Sequence, residues 1–567
     1  MLLIDKGSSV KTDTIARLLA VAAGGFVSIS AFGQVLPVPV FSTFADQANR
    51  VIPGSGGQVF NTGGIDLVRV SSNGGWWILK GNRVYPATPP ATGQDVTRDE
   101  VVVAGTATGS AVVGTLVLGE RDPYPAFTTG LQVGEVPGTV VVNGPASINN
   151  SGRFIISTLS PAPVASNANR VLLRGQVSVQ LSGLPGVTAL GVYGREGSVL
   201  PGVPGYNFGQ DIFADGITDS GEPLFRSQRM ADNKQALMLG STVLAETVDG
   251  ARNRPYVDAD STIPDANYFQ FVPFGSAPNP MVTPDGAHWA LVGQLAGAVD
   301  MLVVDGQTLI RGFDFLPGDV DFVVMDVGLT RLASDGRWIT RVSTGGSNYV
   351  RSGDVNLVRS GGACVPCFAQ AWRDRYALDP STGQFAFSVG FGNVAINSAG
   401  RWVVSGLTNS TDPNDNSLVV VDGRTVLLRE RQPMDLDGDG VANDDAVLLG
   451  LNNDSVQLTD DGWLWFIANV NRPAASALAG ADVNGSVLYR VRLPALACGR
   501  SDIAGPGQGI GADGELTADD IIVFLNAFFA GNLCADVSGP GQETVTLDGE
   551  LTADDIIVFL NRFFGGC

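Results

Sequence analysis

The chain has 567 residues, enough for two or more domains and a large core. Its 73 glycines, 31 prolines and 16% charged residues describe a turn-rich β protein rather than a helical one. A net charge of −21 argues against nucleic acid and anionic membrane surfaces as partners, and is compatible with divalent cations.

The N-terminus reads as a secretory signal. Lys6, Lys11 and Arg17 precede an apolar run from Leu18 to Ile29, and Ala31-Phe-Gly33 offers a small-x-small cleavage site before Gln34. An uncleaved anchor is the other reading, but the run is short and Gly-rich for a span. Residues 1–33 are therefore expected to be a signal peptide. The mature chain would have no membrane span and would be secreted or held at the cell surface.

From 34 to 496 one phrase recurs: a polar turn ending in Gly, then an aromatic-rich strand. It stands at Asn73-Gly-Gly-Trp-Trp77, Asn150-Ser-Gly-Arg-Phe154, Asp219-Ser-Gly221 and Asp285-Gly-Ala-His-Trp289. It returns at Asp335-Gly-Arg-Trp338, Ser398-Ala-Gly-Arg-Trp402 and Asp461-Gly-Trp463. The turn glycines fall at 75, 152, 221, 286, 336, 400 and 462, spaced by 50 to 77 residues. Second hairpin turns are predicted at Gly175, Gly240, Gly306, Gly353, Gly423 and Gly485. Two hairpins per unit make a four-stranded sheet, and six or seven such sheets in tandem suggest a β-propeller. The segment 486–493 is expected to close the ring, with Trp338, Trp402 and Trp463 as blade-packing residues. A pair of β-sandwich domains would space its turns similarly. The pattern is similar to bacterial exported repeat proteins built on an Asn-x-x-Gly turn and joined to varied C-terminal anchors.

Two features interrupt the repeat. Cys364-Val-Pro-Cys367 suits a redox pair, half a zinc site or a local disulfide. The chain's one histidine leaves zinc without partners, and no βαβ context supports a thioredoxin-like role, so a structural disulfide is expected. The loop 435–446 places Asp435, Asp437 and Asp439 at positions 1, 3 and 5 of a calcium loop. Gly440 follows at 6, the Val441 carbonyl at 7 and Asn443 at 9. Ala446 stands where a bidentate acid belongs, which leaves Asp444 or Asp445 to serve. An acidic solvated loop is the bland alternative.

The tail, 497–567, says one thing twice: residues 513–526 return at 548–561, identical at every position. Ile521, Phe524, Leu525 and Phe528 form one apolar helical stripe, repeated by Ile556, Phe559, Leu560 and Phe563. Thr517 and Thr552 sit at N-cap positions, with Asp520 and Asp555 three residues later in the capping-box place. Read as EF-hand-type loops, the copies supply Asp513, Glu515, Thr517 and Asp520, then Asp548, Glu550, Thr552 and Asp555. Asp502 and Asp536 are the earlier acids, displaced from position 1 by seven and eight residues.

These two loop–helix units resemble a type I dockerin, and the ending Gly566-Cys567 resembles the GC-type dockerin module. The resemblance implies bound calcium and a cohesin-like or cell-envelope partner. It also implies an approximate two-fold that would bring Cys498 and Cys567 together. The competing pairing is Cys498 with Cys534.

No catalytic constellation stands out. A single histidine excludes most His-based triads, and neither a nucleophile elbow nor a phosphate-binding loop is present. A carboxylate pair at a propeller mouth is the device sequence leaves open, among 56 acids. The expectation is a secreted, calcium-stabilised, non-catalytic binding or display protein with an unknown ligand, attached through its C-terminal module. A carbohydrate-active extracellular hydrolase and a structural envelope component are the alternatives.

Overall fold

In the computed structural model the described residues are 36–84, 100–109, 111–119, 146–159, 170–180, 182–200, 202–229, 235–246, 268–271, 280–295, 299–315, 323–344, 348–353, 355–359, 391–407, 417–422, 425–442, 444, 446–452, 455–472, 484–493, 504–505, 509–510, 516–529, 535, 537–538 and 551–565. The expected signal peptide, 1–33, and all five cysteines, among them Cys364, Cys367, Cys498 and Cys567, lie outside them. So do Asn443, Asp502, Asp513, Glu515, Asp536, Asp548 and Glu550.

Near-continuous apolar runs along short strands, such as Val101-Val-Val-Ala104 and Leu418-Val-Val-Val421, give sheets that bury both faces. Seven such sheets follow one another as the blades of a β-propeller. Blade 1 takes Phe60–Val70, Trp76–Arg83, Glu100–Thr108 and Ala111–Gly119. Blade 2 takes Ala146–Ile148, Arg153–Leu159, Arg170–Val179 and Pro185–Arg195. Blade 3 is Phe208–Ile217, Pro223–Arg229, Gln235–Leu239 and Thr242–Glu246. In blade 4, Tyr268–Phe271 and Met281–Val282 both pair with Trp289–Leu295, followed by Val299–Val304 and Gln307–Arg311. Blade 5 is Val324–Leu332, Trp338–Thr344, Asn348–Ser352 and Val355–Arg359. Blade 6 is Phe391–Ile396, Trp402–Leu407, Ser417–Val421 and Thr425–Arg429.

Blade 7 closes the ring, and not as the sequence suggests. Its strands Pro433–Met434, Ala446–Leu451, Gln457–Leu458, Trp463–Asn471 and Asn484–Arg492 are completed by Val38–Ser42 from the other end of the chain. Pro39 stands opposite Tyr489, and Phe41 opposite Leu488. Nothing local in Val38-Pro-Val-Phe-Ser42 marks it as the missing strand; the unpaired edge of Asn484–Arg492 supplies the demand. Arg472 reinforces the join through Asp46, at 2.7 Å.

The core confirms closure. Leu291 and Val303 of blade 4 pack against Leu224 and Leu237 of blade 3, while Ala290, Val292 and Leu302 face Val327 and Val342 of blade 5. Each blade meets its neighbours in this way. The last interface joins Trp465 and Ile467 of blade 7 to Phe60, Trp77 and Val103 of blade 1, with Val40 and Phe41 between. The ring is apolar at every seam, as two face-packed sheets would not be.

The recurring turn joins the first and second strand of every blade. Its glycine has positive φ in all seven, from +73° to +92°. In blade 1 that glycine is Gly74, one residue before the expected Gly75. Trp338, Trp402 and Trp463 each open the second strand of a blade and pack into the seams, as expected. Gly240, Gly306 and Gly353 make the later hairpin turns. Gly175 and Gly485 do not: both lie inside strands, under the rings of Phe154 and Phe44. A glycine there makes room for an aromatic rather than reversing the chain.

The tail forms two helices, α1 (Ala518–Phe529) and α2 (Ala553–Gly565). The equivalent rings Phe524 and Phe559 stack with centroids 3.9 Å apart, at the centre of a small apolar cluster. No helix among the described residues is long and apolar enough to cross a membrane.

Candidate functional site: the central channel and an acidic loop

The first strands of all seven blades converge on one cavity of about 170 Å³, the mouth of the central channel. The recurring turns rim it. A buried polar residue opens most of these turns and accepts the N–H of the residue that begins the next strand or stands just before it. Ser71 does so for Trp76, Thr218 for Glu222, Thr283 for His288 and Thr459 for Trp463, each at 3.0 Å. Asn149 and Asn397 use their carboxamide oxygens for Arg153 and Arg401. Their Nδ2 groups also reach the next blade, donating to the Thr218 and Thr459 carbonyls at 2.6 and 3.0 Å.

Three carboxylates line this mouth: Asp215, Asp219 and Asp460. Each has both oxygens engaged by protein groups. Asp219 accepts from the Asn150 amide and carboxamide, both at 3.0 Å. Asp460 accepts from the Ser398 amide at 2.9 Å and the Ser334 hydroxyl at 2.6 Å. Asp215 meets Arg226 in a bidentate pair with both contacts at 2.9 Å, its side chain fully buried. Burial pushes its carboxyl above the usual carboxylate range, with Arg226 and Arg69 opposing. Arg69 and Arg331 also line the cavity, and no aromatic side chain does so among the described residues. Of these channel residues, Asp219 alone carried a sequence signal, as the first residue of a recurring turn. Asp215 and Asp219 share blade 3, while Arg69, Arg331 and Asp460 come from blades 1, 5 and 7, and only the ring brings these blades together.

The acidic loop lies between the blade 7 strands Pro433–Met434 and Ala446–Leu451. Asp435, Asp437 and Asp444 converge there, with one oxygen from each within 4.8 Å of the others. Oxygens bound to one calcium at 2.3–2.6 Å lie at most roughly 5 Å apart, so this donor set fits a hard divalent cation. Asp435 is buried and accepts from the Gly438 and Gly440 amides at 2.7 and 2.9 Å. Those glycines have φ of +83° and +85°, which lets the chain wrap the carboxylate. Burial raises the Asp435 carboxyl, and Asp437 and Asp444 add to the rise. Asp439 is not in that group; its Oδ1 accepts from the Val441 amide at 2.7 Å. Asp444, one of the two acids left to close the loop, joins the group, and Asp445 lies outside the described residues.

In the tail, Asp520 and Asp555 are fully buried. Their Oδ2 atoms accept from the amides of Thr517 and Thr552 at 2.8 Å, the reciprocal arm of a capping box. Asp555 Oδ1 further accepts from the Val537 and Ser538 amides, at 2.7 and 2.9 Å. The helix-capping role of these acids is thus explicit in the geometry.

No family model matches this chain, and a search of the curated proteins finds no match. Among solved structures, the chain is similar to a Trypanosoma rangeli sialidase in complex with the inhibitor DANA, at 10% identity and TM-score 0.31. That match covers 90% of this chain and 66% of the sialidase. A prolyl oligopeptidase B from Galerina marginata matches at 11% identity and TM-score 0.30, over 72% of this chain and 46% of that one. Virginiamycin B lyase from Staphylococcus aureus matches at 8% identity and TM-score 0.28, over 76% and 96%. Likenesses this distant carry no information about ligand or reaction, and the fold rests on the seven sheets and their seams.

Proposed function

We propose that this protein is an exported binding or display scaffold, braced by calcium at Asp435, Asp437 and Asp444 and attached through its duplicated C-terminal module. One observation carries the non-catalytic part: the three channel carboxylates spend both oxygens on protein groups, Asp215 within its own blade and Asp219 and Asp460 on other blades. A general acid or nucleophile needs an oxygen that can reach substrate. Calcium is favoured over magnesium by the all-oxygen donor set and the spread of its atoms. The tail repeats, similar to dockerins, support calcium there too, and a cohesin-like or envelope partner. The basic n-region and apolar run support export.

A second reading is a hydrolase on the same scaffold, favoured by Asp215, a channel acid held above its usual range. A panel of glycoside, ester and peptide substrates separates the two. The scaffold reading expects no turnover by the wild-type protein. Turnover that disappears in Asp215→Asn would overturn it and establish the hydrolase.

A further inference from the structure

We propose that His288, the chain's one histidine, is a pH-responsive clasp between blades 4 and 5 that holds the blade 5 turn at the channel rim when protonated. Its Nδ1 lies 2.6 Å from Asp305 Oδ2, while Asp305 Oδ1 accepts the Trp289 amide at 2.8 Å. The imidazole itself leaves its own blade and covers Gly336 of the next. A Cβ on Gly336 would come within 2.6 Å of His288 Cδ2.

Other seams use the same device with a permanent cation. Arg153 covers Gly221 and Arg337 covers Gly400. In blade 6, Arg401 bonds Asp422 Oδ2 while Asp422 Oδ1 accepts the Trp402 amide, the counterpart of His288 and Asp305. Only the blade 4–5 seam places a group there that titrates near neutrality.

The charged groups facing His288 are Asp305 and Asp285 of its own blade and Asp335 of blade 5, with Arg337 tied to Asp335 at 2.9 Å. The Asp305 hydrogen bond, then the charges of Asp305, Asp285 and Asp335, hold the imidazole above its ordinary value of 6.5. A raised folded value means that the stability added by the charged pair is fully present below the unfolded value and lost as pH rises through the folded one. The turn it holds carries Ser334, which reaches Asp460 across the rim.

Amide exchange on the intact protein, corrected for intrinsic rates at pH of about 5.5 and about 8, tests the clasp across the range where histidine titrates. Wild-type protection over 333–340 should fall at the higher pH, while the segment around Gly400, under Arg337, stays constant. His288→Arg should abolish the fall, and His288→Gln should show the high-pH pattern at both values. Asp305→Asn should lower the imidazole midpoint read by NMR. The same pH response in wild type and His288→Gln would overturn the proposal, as would an unmoved midpoint in Asp305→Asn.

Discussion

Ser334 of blade 5 donates its hydroxyl to Asp460 Oδ2 of blade 7 at 2.6 Å, although the two residues stand 126 positions apart. Asp460 also accepts the Ser398 amide of blade 6 and donates its own amide to the Ser72 carbonyl of blade 1. One aspartate thus ties four blades at the channel mouth. Asp460→Ala should lower stability by about 1–3 kcal/mol, since partly buried donors lose their acceptor. Ser334→Ala should cost less, about 0.5–1.5 kcal/mol, because it removes one bond and leaves Asp460 its other partners. Urea melts of the two variants check the order.

The turn glycines serve two purposes that substitution can separate. Gly336 and Gly462 both have positive φ, +88° and +84°. Gly336 lies under His288, whereas a Cβ at Gly462 would meet nothing within 4 Å. Gly462→Ala should therefore cost only the left-handed backbone penalty, about 1–2 kcal/mol. Gly336→Ala should cost that and the displacement of the imidazole. Equal losses in thermal melts would show that the imidazole gives way freely.

Calcium should raise the melting temperature through the 435–444 loop. At a hundredfold excess over Kd, binding to the native state alone adds about 2.7 kcal/mol. Asp437→Asn, an exposed change, should remove the loop's share of the calcium-dependent shift while leaving stability in chelator nearly unchanged. Identical melts with chelator and with calcium in the wild type would remove the ion from the account.

The buried pair Asp215–Arg226 should behave as a unit. Removing Asp215 alone takes the paired carboxylate from a guanidinium whose side chain is only 11% exposed, at a cost of about 3–5 kcal/mol. Replacing both partners, as Asp215→Leu with Arg226→Met, should recover much of the loss. A double-mutant cycle with no coupling would contradict the pairing.

In the tail, Asp555→Ala should unfold α2 locally, because one carboxylate there satisfies the amides of Val537, Ser538 and Thr552. The loss of buried acceptors is worth about 1–3 kcal/mol. Helical circular dichroism of the variant, with and without calcium, distinguishes capping from metal binding. A deficit that calcium fails to restore is the capping result.

Some of this was legible in the chain because it is written locally. A polar turn, a glycine and an aromatic strand recur within a few residues each time, so the turn positions and the Trp338, Trp402 and Trp463 seams follow from pattern alone. The helices α1 and α2 follow from their apolar stripes, and Asp435 with Asp437 from alternate spacing in one loop. What the sequence could not set is whatever depends on closing the ring. Strand Val38–Ser42 finds its place only because blade 7 presents an open edge. The count of seven is decided by where that edge meets blade 1. Asp215 of blade 3 and Asp460 of blade 7 stand 245 positions apart in sequence, and line one channel only when the blades stand around an axis. Asp444 stands with Asp435 and Asp437 in the acidic cluster, where alternate spacing pointed to Asp439. Local hydrogen bonding and hydrophobic period are properties of short segments; convergence on an axis is a property of the closed ring.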